Sequence, residues 1–174
     1  MKAISSLLII QLLWRAASAD RTDVYCIDGI RTSLAGIVFD GTIPGDYWTN
    51  ICTNNLSVTS MWAAANVYCS DHEITAGEEM LGGYCKEYGL VTLIPYNDIL
   101  PTLTKKFINS LPIVEFEDTD SPVIWNSSIL MSAQLFTASK RTVVRWHTAH
   151  RERHKLIMPQ SAFAMSYILD SRYG

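Results

Sequence analysis

Four cysteines constrain this chain more than any other feature of its sequence. They are separated by 25, 16 and 15 residues, and none forms the close Cys-x-x-Cys pair of a small zinc site. Structural disulfides are therefore favoured over a metal site, and the sequence leaves all three possible pairings open. We predict two disulfides and folding in an oxidising compartment. The residues concerned are Cys26, Cys52, Cys69 and Cys85.

The first residues indicate the same compartment. MKAISSLLIIQLLWRAASAD has a positive Lys2, an apolar stretch over residues 3–14 and small residues at 17–19 before Asp20. This is the pattern of a secretory signal peptide, and the apolar stretch is too short to span a bilayer. We predict a signal peptide over residues 1–19, with an uncleaved anchor or a buried N-terminal helix as the alternatives.

Two sequons are consistent with secretion. Asn55-Leu56-Ser57 and Asn126-Ser127-Ser128 both lack proline at the middle position. Glycosylation at Asn55 or Asn126 would place the segment concerned on the surface.

Charge divides the chain behind the signal peptide into two parts. Residues 20–139 contain fifteen acids and five bases, net −10, whereas residues 140–174 contain seven bases and two acids, net +5. These counts indicate an acidic body over residues 20–139 that carries a basic tail over residues 140–174. A basic tail can bind nucleic acid or anionic lipid, or form a solvated helix face. The predicted signal peptide argues against nucleic acid.

Apolar spacing predicts that most of the body is helical. In residues 24–39 apolar side chains recur every three or four positions, although the run 37–39 could also form a strand. A short helix is predicted from about Asp98, and further helices over residues 127–138 and 143–156.

The stretch around the last three cysteines predicts a pair of helices, at residues 56–69 and 73–88. Ser70 or Asp71 is able to cap the second helix. Cysteines at the ends of neighbouring helices could tie an antiparallel pair together. We therefore predict a mainly α fold, a small disulfide-stapled helical domain after a signal peptide, with a basic helical tail. Three glycines thin the second helix enough for close packing, namely Gly77, Gly82 and Gly83.

Chemical motifs are sparse. The sequence has no Gly-rich phosphate loop, no Gly-x-Ser-x-Gly elbow and no His-Glu-x-x-His pair, so we predict no catalytic residue. In WHTAHRERH, however, His147, His150 and His154 would share one helical face and could bind a transition metal. The alternative is a basic helix whose histidines are solvated.

The run CTNNLSVTSMWAAANVYCSDHEITAGEEMLGGYC, from Cys52 to Cys85, resembles the extracytoplasmic N-terminal region of fungal ferric-chelate (ferric/cupric) reductases, membrane flavocytochromes of iron uptake. Cysteine with Thr-Asn opens the unit, Tyr-Cys-Ser ends its first helix, Glu-Ile-x-x-Gly opens the second, and a cysteine closes it. The resemblance covers roughly residues 23–142. Family members often carry a further cysteine where this chain has Gly29 or its neighbours, which leaves the partner of Cys26 open.

The resemblance implies an ectodomain without the redox machinery. In the family, electrons pass through transmembrane helices with haem-ligating histidines and through domains that bind FAD and NADPH, and none of these fits into 174 residues. No haem ligand is carried over to the three histidines of the tail. The resemblance thus implies a ferric reductase-like, disulfide-bonded ectodomain over residues 20–139 on the extracytoplasmic face, itself without cofactors, whose partner is the membrane domain of a full-length reductase. The basic tail over residues 140–174 is then either a truncated juxtamembrane segment or an altered gene-model end. The alternative is a small secreted binding protein that engages a cell surface, a lipid or a metal ion.

Overall fold

The structure is a computed structural model that describes residues 21–119 and 121–150. The predicted signal peptide at 1–19, His154 and the tail beyond residue 150 lie outside the described residues.

The described residues form a mainly α fold, as predicted, with seven helices and four two-residue strands. The helices are α1 Tyr25–Leu34, α2 Tyr47–Thr53, α3 Asn55–Tyr68, α4 Asp71–Tyr84, α5 Tyr96–Ile99, α6 Lys105–Ile108 and α7 over residues 133–150. The strands are β1 Val38–Phe39, β2 Ile113–Val114, β3 Ile124–Trp125 and β4 Leu130–Met131. A π-helical turn, Cys85–Gly89, follows α4.

Helix α3 is the centre of the core. Its residues from 57 to 65 are almost all buried, including Met61 and Trp62, whose exposure is 0%. The small side chains of residues 63–65 are good helix formers and let neighbouring elements approach on several sides. The indole Nε1 of Trp62 donates to the carbonyl oxygen of Ile94 at 3.0 Å, which satisfies the one polar atom of this buried ring.

Helix α1 packs against α3, α4 and α7, and two close approaches depend on glycine. A Cβ at Gly77 of α4 would collide with the side chain of Ile27 in α1. A Cβ at Gly29 of α1 would lie 2.9 Å from the Cα of Lys140 in α7. The prediction of a close helix approach is therefore confirmed at Gly77, whereas Gly82 and Gly83 have no neighbouring atom within 4 Å of an added Cβ.

Side-chain caps fix where the central helices begin. The Asn54 side chain accepts from the backbone N–H groups of Leu56 and Ser57 at 3.0 and 3.2 Å, which starts α3 at the position after it. Ser70 and Glu73 form a reciprocal capping box, so α4 begins at Asp71, slightly earlier than predicted.

The prediction of one helix over residues 24–39 was wrong in its second half. Helix α1 ends at Leu34, and Val38–Phe39 forms a strand that pairs in parallel with Ile124–Trp125, as the alternative interpretation of 37–39 proposed. Just after the end of α1, the backbone around Thr119 packs against Gly36. An added Cβ at Gly36 would collide with the carbonyl oxygen of Thr119.

The predicted helix over residues 127–138 was also wrong at its start. Leu130–Met131 forms a parallel strand with Ile113–Val114, and α7 begins only at residue 133. The backbone N–H of Ser132 donates to the carbonyl oxygen of Val114 at 3.0 Å. Helix α7 then continues without a break from residue 133 to residue 150. The basic residues between 140 and 150 therefore belong to this helix.

The four cysteines form two disulfides, Cys26–Cys69 and Cys52–Cys85, with Cα atoms 5.9 and 6.0 Å apart. The first ties α1 to the end of α3, and the second ties α2 to the end of α4. Neither bond joins α3 directly to α4, so these two helices are not tied together in the way that the cysteines at their ends would have allowed. Two bonds that each span a different pair of helices link all four helices around the core.

Candidate functional site

Both predicted glycosylation sites are accessible. Asn55 is the exposed first residue of α3, and Asn126 is exposed just after β3. The hydroxyl residues of the sequons, Ser57 and Ser128, are buried in the folded chain. Glycosylation of either asparagine stays a prediction.

The predicted histidine cluster is only partly described. The ring of His147 stacks on Tyr25 with centroids 4.8 Å apart, and the ring of His150 lies 4.3 Å from that of Trp146. His154 lies outside the described residues. Residues 21–119 and 121–150 hold no group of three metal-binding side chains. Metal binding by His147, His150 and His154 therefore stays a prediction.

A half-buried ionic group joins α1, α2 and α7, and we call its four residues, Asp28, Arg31, Tyr47 and His147, the polar junction. Oδ1 of Asp28 accepts from Nε and Nη2 of Arg31 at 2.9 and 2.6 Å. Nη1 of Arg31 donates to the Tyr47 hydroxyl at 2.6 Å. Oδ2 of Asp28 lies 3.4 Å from Nε2 of His147. One buried carboxylate therefore connects two helices distant in sequence.

The pKa shifts in the polar junction favour a neutral tyrosine beside a permanent cation. Burial disfavours the Arg31 cation, but Tyr47 and Asp28 together outweigh this and raise the pKa of Arg31. Burial also raises the pKa of Tyr47, against the opposing effect of Arg31. With the Arg31 cation paired to the Asp28 carboxylate, the junction links α1 to α2 through Tyr47 and to α7 through His147.

Sequence reasoning did not single out the polar junction. The spacing of Asp28 and Arg31, three residues apart on a predicted helix, was a signal that could have found their ion pair. No sequence signal connected them to Tyr47 or His147.

A cavity of about 610 Å³ lies beside the polar junction, between the end of α1, strand β1, the following loop and α2. Most of its wall is aliphatic or aromatic, and Tyr47 belongs to both the wall and the junction. Its volume is within the range of small-molecule binding sites. The wall residues are Leu34, Ala35, Ile37, Val38, Phe39, Asp40, Gly41, Thr42, Ile43, Pro44, Gly45, Tyr47, Asn50, Ile51, Ser57 and Ile124.

Most polar side chains of the cavity wall are already paired within the protein. The Asn50 amide exchanges hydrogen bonds with the backbone of Ile43 at 2.8 and 2.7 Å. The Thr42 hydroxyl accepts from the backbone N–H of Phe39 at 3.2 Å. The hydroxyl of Ser57, the most buried polar residue of the wall, makes no hydrogen bond to any described residue. The Ser57 hydroxyl is therefore a neutral polar group that a ligand in the cavity could bind.

Comparisons with protein families, with curated proteins and with solved structures find no match to this chain. Within the described part of the chain, no helix is both long and apolar enough to cross a membrane. The two disulfides indicate an oxidising environment of the secretory type.

Proposed function

We propose that this chain is an extracytoplasmic domain of the ferric-chelate reductase type, a disulfide-bonded scaffold on the outer face of the membrane. The haem, FAD and NADPH of such an enzyme are assigned to other parts of the full-length protein, and no cofactor or catalytic residue is assigned to this chain. The proposed partner is the membrane domain of such a reductase.

The observation that carries the proposal is the structural role of the motif residues between Cys52 and Cys85, the stretch that resembles the reductase family. Asn54 caps α3, Ser70 and Glu73 form the capping box of α4, and Gly77 admits Ile27 of α1. These four motif positions therefore have structural roles. A resemblance at such positions supports a shared fold better than a shared active site, which fits an ectodomain whose chemistry is performed elsewhere.

The extent of the core supports the same domain. Buried apolar residues run from Tyr25 to Val143, which is nearly the span of residues 23–142 over which the resemblance extends. Within the described part of α7, the residues after Val143 are exposed except for the half-buried His147. The segment that resembles the reductase family, residues 23–142, is thus nearly the same as the segment that shares one hydrophobic core.

The proposal is tested on the native protein. Trypsin releases residues 87–105, a peptide without cysteine or sequon that can be followed by mass spectrometry. Detergent-solubilised membranes and culture medium would be separated by electrophoresis, and each fraction searched for this peptide. We expect it in a haem-staining membrane polypeptide whose amount follows cell-surface ferric reduction. Its recovery solely from a soluble, two-disulfide protein in the medium would refute the proposal.

That contrary result would favour the second candidate, a secreted binding protein. The apolar cavity is the observation in favour of this candidate, because a wall of this composition suits a small ligand. The basic residues of α7 and the histidines at 147, 150 and 154 are the proposed contacts to an anionic surface or a metal ion. Nucleic acid is not proposed as a partner.

A further inference from the structure

The cavity beside β1 has an apolar entrance as well as an apolar wall. Val38, Ile43 and Ile124 belong to the wall and are 38%, 50% and 64% exposed, respectively. Exposed aliphatic side chains around a concavity are costly in water unless something covers them. The rim is therefore suited to a ligand that is itself partly apolar.

The loop that closes the cavity is held in place without a ligand. The Asn50 amide holds Ile43 through both its oxygen and its nitrogen, and Nδ2 of Asn54 donates to the carbonyl oxygen of Asp40 at 2.9 Å. Asn54 also caps α3, so the loop is tied to the central helix of the core. A wall fixed in this way reduces the ordering cost of binding.

Two polar side chains of the wall, Ser57 and Asp40, bear most directly on which ligand is bound. The Ser57 hydroxyl can donate to or accept from a neutral oxygen. The Asp40 carboxylate uses Oδ1 to accept from the N–H of Gly41 at 2.9 Å and is exposed at the cavity. Its negative charge, in an already acidic body, disfavours a carboxylate or phosphate ligand.

We propose that this cavity binds a small neutral amphiphile, with its apolar body against the aliphatic wall and a single hydroxyl or carbonyl oxygen hydrogen-bonded to Ser57. This site goes beyond the proposed reductase-type function and does not depend on it. Binding of another occupant, such as a second copy of the chain, would not depend on the Ser57 hydroxyl. It would also give no reason for the cavity to prefer a neutral ligand to an anionic one.

The test uses the disulfide-bonded chain and the neutral fluorescent probe N-phenyl-1-naphthylamine. We expect one probe per chain, and displacement by dodecan-1-ol at a concentration about tenfold lower than that of dodecanoate, because of Asp40. Ala35→Phe fills the cavity from an exposed position and should weaken probe binding by at least about tenfold. Ala133→Phe makes the same change at an exposed alanine outside the wall and should leave binding unchanged.

Two further variants keep the test decisive. Ser57→Ala should weaken dodecan-1-ol binding about fivefold or more while sparing the probe, which has no hydroxyl. Ile43→Asp adds a charge at the exposed rim and should weaken probe and alcohol alike, so it replaces Ala35→Phe if that variant fails to fold. Probe binding that is unaffected by Ile43→Asp, and by Ala35→Phe where that variant folds, would overturn the proposal. So would a dimer, measured by sedimentation, that takes up no probe.

Discussion

Replacing Gly77 by alanine tests the packing of α1 on α4. Gly77 lies in the middle of α4, facing Ile27, which is fully buried in α1. An added methyl group would overlap Cβ and Cγ1 of Ile27, and a branched side chain has few rotamers with which to move away. The two helices must therefore separate.

Two opposing effects determine the magnitude. Alanine is a better helix former than glycine, which favours the variant by about 0.5–1 kcal/mol. Overpacking of a tight core costs about 1–3 kcal/mol, and the overlap with Cβ of Ile27 places this site toward the upper end. We therefore expect Gly77→Ala to lower the free energy of unfolding by about 2 kcal/mol.

The same helix provides a matched control. Gly83 has no atom within 4 Å of an added Cβ and is exposed, so Gly83→Ala should raise the free energy of unfolding by about 0.5–1 kcal/mol. Urea unfolding of the oxidised protein, followed by tryptophan fluorescence and by circular dichroism, measures both variants. A Gly77→Ala variant as stable as the wild type, or stabilised like Gly83→Ala, would refute the proposed close contact.

The remaining predictions concern the disulfides and the two main ion pairs. Removing the disulfide Cys52–Cys85, which spans 33 residues, should lower the free energy of unfolding by about 4 kcal/mol on the chain-entropy estimate; a loss below about 1 kcal/mol in urea unfolding would contradict this. Asp28→Asn leaves the Arg31 guanidinium half-buried without its carboxylate and should cost about 3 kcal/mol by the same assay, whereas an unchanged midpoint would show that the pair is dispensable. Partial burial would raise the pKa of Glu73, but the hydrogen bond from Lys140 and the capping contacts of α4 lower it overall. Its stabilisation is therefore present above the ordinary pKa of glutamate and lost as the pH falls through the lowered value. The stability difference between wild type and Glu73→Gln should shrink between pH 6 and pH 3, and a constant difference would refute this assignment.

Local sequence signals located the central helices well because those signals act over a single helical turn. The side chain of Ser70 accepts from the backbone N–H of Glu73 three residues away, and the alanines at 63–65 favour a helix through their own propensity. The number of disulfides likewise followed from the cysteines and their spacing.

Contacts between segments distant in sequence decided the rest. The parallel pairing of Val38 with Ile124, and that of Ile113 with Leu130, converted two predicted helical ends into strands. These strands are two residues long, so they carry no periodic pattern of their own, and the backbone hydrogen bonds of a partner segment stabilise them.

The sequence by itself determined that the chain forms a mainly helical domain held by two disulfides, because helix caps, apolar spacing and cysteine number are local properties. Only the tertiary structure decided which cysteines pair, that Asp28 also meets His147 of α7, and that a cavity remains beside β1. Each of these depends on how whole helices pack around α3. That packing is set by side-chain volume at crossings such as Gly77 against Ile27, which no local pattern in the sequence specifies.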